Sequence, residues 1–167
     1  FTSKGEVDLC GHATISAFTV LREEASLPCG RYQARTAAGT LPITVESGCV
    51  WMGMAAGKLL HTFTNEESEP LYEAYGLNLS DQPPALQPCL VSTGLPDILL
   101  PVDRADTLNR AVQNREQVME LSRKYHCVGV HLYYPELSSD VTARCRNFAP
   151  LYGIDEEAAT GTSNGAL

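Results

Sequence analysis

Between His12 and Glu24 the chain carries a segment that can form a stable helix only if something surrounds it. Ala13, Ile15, Ala17, Phe18, Val20 and Leu21 leave almost no polar face before Arg22, Glu23 and Glu24. A helix apolar nearly all round is buried rather than laid on a surface, so the expectation is sheet wrapped around a central helix. Two glycine-bearing stretches, one near each end, can start such helices. The first is Asp8-Leu9-Cys10-Gly11-His12-Ala13-Thr14, and the second is Glu156-Glu157-Ala158-Ala159-Thr160-Gly161-Thr162-Ser163-Asn164-Gly165. A helix start leaves backbone N–H groups unpaired and carries partial positive charge. Two such starts facing each other would grip a small carboxylate from two sides, with His12 and Glu157 beside them to move a proton.

Turn signals at Ala38-Gly39 and Ser47-Gly48 separate strands expected over 31–36, 41–46 and 49–54. Trp51, Met52 and Met54 read as sheet core. Asn65 is expected to cap a helix over 66–75, closed by Gly76. Short strands over 89–92 and 98–101 flank Gly94-Leu95-Pro96. Asp103 can open a helix to Ala111, and Asn114 can cap one reaching Tyr125, with acidic residues early and basic residues late as the macrodipole favours. Strands over 127–134 and 141–148 follow. This mixed order predicts an α+β fold rather than a β-α-β repeat. A strand, glycine turn and helix occur once near the start and once at the end. The expected organisation is therefore two similar lobes, residues 1–110 forming most of the first and 111–167 the beginning of the second, joined through 109–125. Phe1-Thr2 reads as the end of a strand and Gly165-Ala166-Leu167 as a first helical turn, so the sequence reads as truncated at both ends.

Composition removes several classes. The net charge is −8, and the 12 Lys and Arg form no cluster, so no nucleic-acid partner is expected. No apolar run is long enough to span a bilayer and no signal peptide is visible, which predicts a cytoplasmic protein with no membrane partner. Cys10, Cys29, Cys49, Cys89, Cys127 and Cys145 include no C-x-x-C pair, so no zinc site is expected. They read as reduced, mostly buried, small hydrophobes. His61, His126 and His131 have no partners at metal-ligand spacing and read as ordinary residues.

Glu6-Val7-Asp8-Leu9-Cys10-Gly11-His12-Ala13-Thr14 resembles the E-x-x-x-C-G-H-A/P-T signature of the phenazine-biosynthesis-like (PhzF-like) family. Arg146-Asn147-Phe148-Ala149-Pro150, followed by Gly153-Ile154-Asp155-Glu156-Glu157-Ala158-Ala159-Thr160-Gly161, resembles that family's second signature, R-x-F-x-P and then G-I/V-x-E-D-P-A-T-G-S/N. The two occur in the family's order, so the resemblance spans essentially the whole chain. It implies a diaminopimelate-epimerase-like fold, with two lobes that each wrap a sheet round a central helix and a site between them. It also implies a cofactor-independent isomerase or epimerase, free of metal, that moves a proton on a small carboxylic or amino acid. A homodimer is implied by resemblance only.

Carried over residue by residue, the resemblance makes His12 and Glu157 the catalytic pair. Gly11, Gly161, Thr162 and Ser163 become the substrate-binding positions, as backbone donors to a carboxylate or a developing enolate. Glu156 reads as a carboxylate that stabilises the following helix. The sequence departs from the family at three places: Glu157 stands where the family has Asp, Ala158 where it has Pro, and Thr162 where it has Ser. The family's principal acid/base, a glutamate in an N-L-S-E segment, has no counterpart among these 167 residues. The rival expectation is therefore a non-catalytic member or fragment that binds a small metabolite or a partner protein. Epimerases of this fold that use two opposed cysteines are a poor match: Cys10 stands in the first turn, but Thr160 occupies the matching place in the second, and a hydroxyl does not act as a thiolate does. Cys10 accordingly reads as a packed thiol.

Overall fold

The computed structural model describes residues 9–136, 140–158 and 160–167. Residues 1–8 and Ala159, which carry parts of both glycine-turn motifs and the expected strand end at Phe1-Thr2, lie outside them. Helix α1 runs Gly11–Glu24, with Cys10 extended at its N-cap and the Thr14 hydroxyl donating to the Cys10 carbonyl at 2.9 Å. It leads into a three-stranded antiparallel sheet, β1 (Gly30–Thr36), β2 (Gly39–Val45) and β3 (Val50–Met52). Period-two patterning buries Leu41, Ile43 and Val45 of β2 on one face.

α1 packs on β2, β3 and a later short helix, yet no residue of α1 is buried, and Val20 and Leu21 are exposed. The expected burial of this helix is thus not seen among the described residues, which cover it on one side only. Trp51 departs from expectation too. It is 61% exposed on edge strand β3, donating its indole N–H to Glu46 Oε2 at 3.1 Å. Its neighbour Met52 reaches α1 instead: a Cβ on Gly11 would stand 3.2 Å from the Met52 Cε.

The larger sheet has six strands in sequence order: β4 (Lys58–Thr62), β5 (Cys89–Ser92), β6 (Pro96–Pro101), β7 (Val130–Pro135), β8 (Ala143–Ala149) and β9 (Ile154–Glu157). All neighbours pair antiparallel except β6 and β7. That parallel pair needs a crossover, which α3 (Ala105–Arg110) and α4 (Arg115–Lys124) provide. The sequence places a lobe boundary between residues 110 and 111, and this sheet takes strands from both sides of it. β4 and β9 were not foreseen: both are short and neither alternates cleanly.

One face of this sheet carries Ile98, Leu100, Val130, Leu132 and Phe148. They form the main core with Leu71 and Tyr72 of α2 (Asn65–Glu73), Tyr75, Leu108 and Val118. Thr64, rather than Asn65, caps α2 through a reciprocal box with Glu67: Thr64 N–H donates to Glu67 Oε2 at 2.9 Å, and Glu67 N–H to Thr64 Oγ1 at 3.3 Å. Asn114 caps α4 as expected, accepting from the Gln117 amide at 3.3 Å. Close approach of backbone to backbone explains Gly129, just before β7: a Cβ there would lie 2.0 Å from the Phe148 carbonyl oxygen.

The opposite face follows from the same alternation. Asp97 and Leu99 of β6, His131 and Tyr133 of β7, and Asn147 of β8 point away from the main core, and α5 (Gly161–Ala166) packs there. All six cysteines are free. Only Cys127 is buried, its thiol pushed by burial up to about 12, whereas Cys29 is exposed, so the buried-hydrophobe reading holds for one residue of the six. Among the described residues no helix is long and apolar enough to cross a membrane, and no three His, Cys, Asp or Glu stand together as metal ligands.

Candidate active site

A cavity of about 480 Å³ lies where the start of α1, the sheet's second face and the start of α5 converge. Cys10, Gly11 and His12 line one wall, and Thr160, Gly161, Thr162 and Ser163 another. The two glycine turns, about 150 residues apart in sequence, therefore meet in one space. Every residue assigned to the site from sequence lines it: His12, Glu157, Gly11, Gly161, Thr162 and Ser163.

Their environments differ. His12 is the second residue of α1 and is exposed, with Nε2 3.8 Å from the Cys10 sulfur. Cys10 is thus half-buried beside an imidazole on the cavity wall rather than packed in a core. Glu157 ends β9, where register sets it opposite Asn147 of β8, and both side chains line the cavity. At the start of α5, Gly161 and Thr162 hold the first two helical positions, whose amides have no partner within the helix. The Ser163 amide is already engaged, donating to Thr160 Oγ1 at 3.4 Å. Glu156 does not stabilise a helix. It lies in β9 and accepts both arms of Arg146, at 2.8 and 2.9 Å. Arg146 also donates to the carbonyls of Leu108 and Ala111, at 2.9 and 2.8 Å, and stacks on Phe148. The charge-assisted bonds to Arg146 hold the Glu156 carboxyl below the usual range. This fork ties β8, β9 and the end of α3 together behind the cavity.

Sequence reasoning passed over a buried polar layer between the sheet and α5. Asp97, 3% exposed, accepts the Ser163 hydroxyl at 2.7 Å, and Ser163 Oγ lies 3.1 Å from Thr160 Oγ1. Burial pushes the Asp97 carboxyl up to about 6; the Ser163 hydroxyl and the Gly129 amide oppose the shift, and the Glu157 charge adds to it. His131 is fully buried, with Nε2 3.2 Å from Asn164 Oδ1 and Nδ1 3.2 Å from Asn147 Oδ1. The Asn164 amide nitrogen donates to the Thr160 carbonyl at 2.7 Å, which fixes its oxygen toward the ring, so Nε2 carries the proton. Burial lowers the His131 pKa and keeps the ring neutral. The available signal was a lone Asp within the apolar run Gly94–Pro101, and a lone His in that of β7. Strand alternation puts each on the face away from the core.

Comparison with known proteins identifies the family and the fold. The whole chain, residues 1–167, matches the phenazine biosynthesis-like (PhzC-PhzF) family. The chain belongs to that family, whose folds and relatives are isomerase- and epimerase-like. It is 33% identical to an uncharacterized isomerase of Clostridium acetobutylicum, over all of this chain and 57% of the relative. The crystal structure of a PhzF-family phenazine biosynthesis protein of Bacillus anthracis superposes with a TM-score of 0.80 at 27% identity, covering 96% of this chain and 56% of that one. A hydroxyproline epimerase of Agrobacterium vitis, at 17% identity and a TM-score of 0.59 over 99% of this chain and 51% of that one, shares the fold. The chain spans little more than half the length of each of these relatives.

Proposed function

We propose that this chain carries the substrate cavity of a cofactor-independent isomerase or epimerase acting on a small carboxylic or amino acid. The observation that supports this most is the meeting of both glycine turns in one cavity with His12 and Glu157 on its walls. The carboxylate of the substrate accepts from the free amides of Gly161 and Thr162 and from the start of α1. A C–H bond activated by a neighbouring carbonyl or diene loses its proton to a base in the cavity, for which His12 is the candidate. The electron pair passes into the conjugated system as an enolate-like anion, stabilised by the same amides. Glu157 orients His12 or the substrate, and return of the proton, to the other face or another carbon, completes the reaction.

The test is solvent exchange. The protein is incubated in D2O with a panel of small amino, hydroxy and dienoic acids, and deuterium at carbon is followed by NMR. Exchange that depends on the protein and vanishes in His12→Asn supports the proposal. No exchange into any member of the panel, or full exchange with His12→Asn, refutes it.

A further inference from the structure

The geometry points to Asp97 as the residue that selects a ligand carrying a positively charged nitrogen, its carboxylate receiving the ammonium group of a small amino acid held in the cavity. This rests on the reading above that the cavity takes a small acid, and it narrows that class to acids that bring a cation. The first support is charge. Among the described residues lining the cavity there are two carboxylates, Asp97 and Glu157, and neither Lys nor Arg. A ligand bearing only negative charge meets backbone dipoles but no counter-charge, and two like charges oppose it. A zwitterion brings its own compensation.

The second support is an unmet bond. Asp97 lines the cavity and is 97% buried by its 3% exposure, yet its Oδ1 has no hydrogen-bond partner. A carboxylate offers about four acceptor sites; the Ser163 hydroxyl fills one on Oδ2 and the Gly129 amide also points at the carboxylate, which leaves acceptor capacity on Oδ1 unused. A buried, under-bonded carboxylate is costly, and a donor arriving with the ligand removes that cost. Burial and the Glu157 charge raise the Asp97 pKa, as expected of an anionic site lacking its cation. The titratable groups around it are Cys10 at the cap of α1, His12 on α1, Tyr152 before β9, Glu157 on β9, Cys127 ahead of β7 and the buried, neutral His131 of β7 on the same sheet face. None of them can supply a permanent positive charge. Glu157 is the alternative holder of the nitrogen, but it is only half-buried and shares its charge with solvent.

The experiment compares L- and D-amino acids with the 2-hydroxy and desamino acids of the same carbon skeletons, by thermal shift and calorimetry on the whole chain. Above pH 7, amino acids should bind wild type roughly tenfold or more tighter than their counterparts, as expected where one partner of a buried charge pair is withheld. Asp97→Asn should collapse that preference while leaving the counterparts bound as before or tighter. On wild type the preference should fade as pH falls below about 6, where Asp97 takes up a proton. The inference is overturned if counterparts bind wild type equally well, if no amino acid raises its melting temperature, or if the preference survives Asp97→Asn. Loss of the preference in Glu157→Gln but not in Asp97→Asn moves the nitrogen to Glu157 and overturns it as well. If the proton-transfer reading fails, exchange is absent while the amine preference stands. If this inference fails, the preference is absent whether or not exchange occurs.

Discussion

Asp97→Asn should stabilise the protein, and by an amount that depends on pH. The Asp97 carboxyl has an ordinary value of 3.8 and stands at about 6 in the folded chain. Between those values the native state binds more protons than the unfolded state, so stability falls as pH rises through the window. The Asp97 contribution is highest below about 4, declines to just above 6, and is then level with the full penalty in place. A separation of about two pH units corresponds to about 3 kcal/mol. Asparagine has the same shape and never ionises, so it escapes that penalty. It also gives Ser163 a neutral acceptor in place of a charged one, at a cost of about 1 kcal/mol. The expected balance is a variant about 2 kcal/mol more stable than wild type at pH 8 and no more stable at pH 4. Carboxylates held low, such as Glu156 and Asp81, make both proteins acid-labile and cancel in the difference. Urea unfolding followed by circular dichroism at the two pH values measures it. A variant less stable than wild type at pH 8, or a difference that is the same at both values, refutes the burial argument.

Other expectations can be checked with the same preparations. His12→Asn should abolish deuterium exchange in the D2O assay while leaving the melting temperature nearly unchanged, because the side chain is exposed. Arg146→Met strands the carbonyls of Leu108 and Ala111 and should cost about 2–4 kcal/mol in urea unfolding. Glu156→Gln weakens only the half-exposed side of the fork and should cost under about 1 kcal/mol; equal losses would deny the carbonyl contacts their role. Gly129→Ala places a methyl group against the Phe148 carbonyl and should lower stability by about 3 kcal/mol or more, read as a fall in melting temperature. A melting temperature equal to wild type would contradict the close approach there.

The parts legible in the sequence are those where one local rule acts alone. The β1–β2 hairpin follows from alternation with a glycine turn, and the Asn114 cap from a single side chain and an amide three residues on. The cavity was legible because glycine turns at helix starts are rare enough to be noticed in pairs. Trp51 was misread since an apolar residue in a strand does not announce which face it takes, and on edge strand β3 it took the outer one. Thr64 and Asn65 are both competent caps, and Glu67 decided between them by reaching back to the Thr64 amide. β4 and β9 owe their existence to neighbours already in the sheet. Asp97 and His131 were passed over for a related reason. Each is a single polar residue in an apolar run, and its meaning depends on α5, which arrives from the far end of the sequence.

The single parallel pair in the six-stranded sheet has a kinetic consequence. β5–β6 and β7–β8–β9 are antiparallel runs joined by short connections and can zip locally, whereas β4 reaches β5 only across α2. Joining β6 to β7 has no turn to guide it and must close the chain across α3 and α4, a step with a larger entropic cost than the β5–β6 and β7–β8–β9 connections carry. Asp97 stands on one side of that seam, and His131, Asn147 and Ser163 on the other. The buried polar layer can therefore assemble only after the two halves have met. In pulse-labelling hydrogen exchange the amides that pair β6 with β7 should gain protection after those that pair β5 with β6 and β7 with β8, and the cavity should come into being with them.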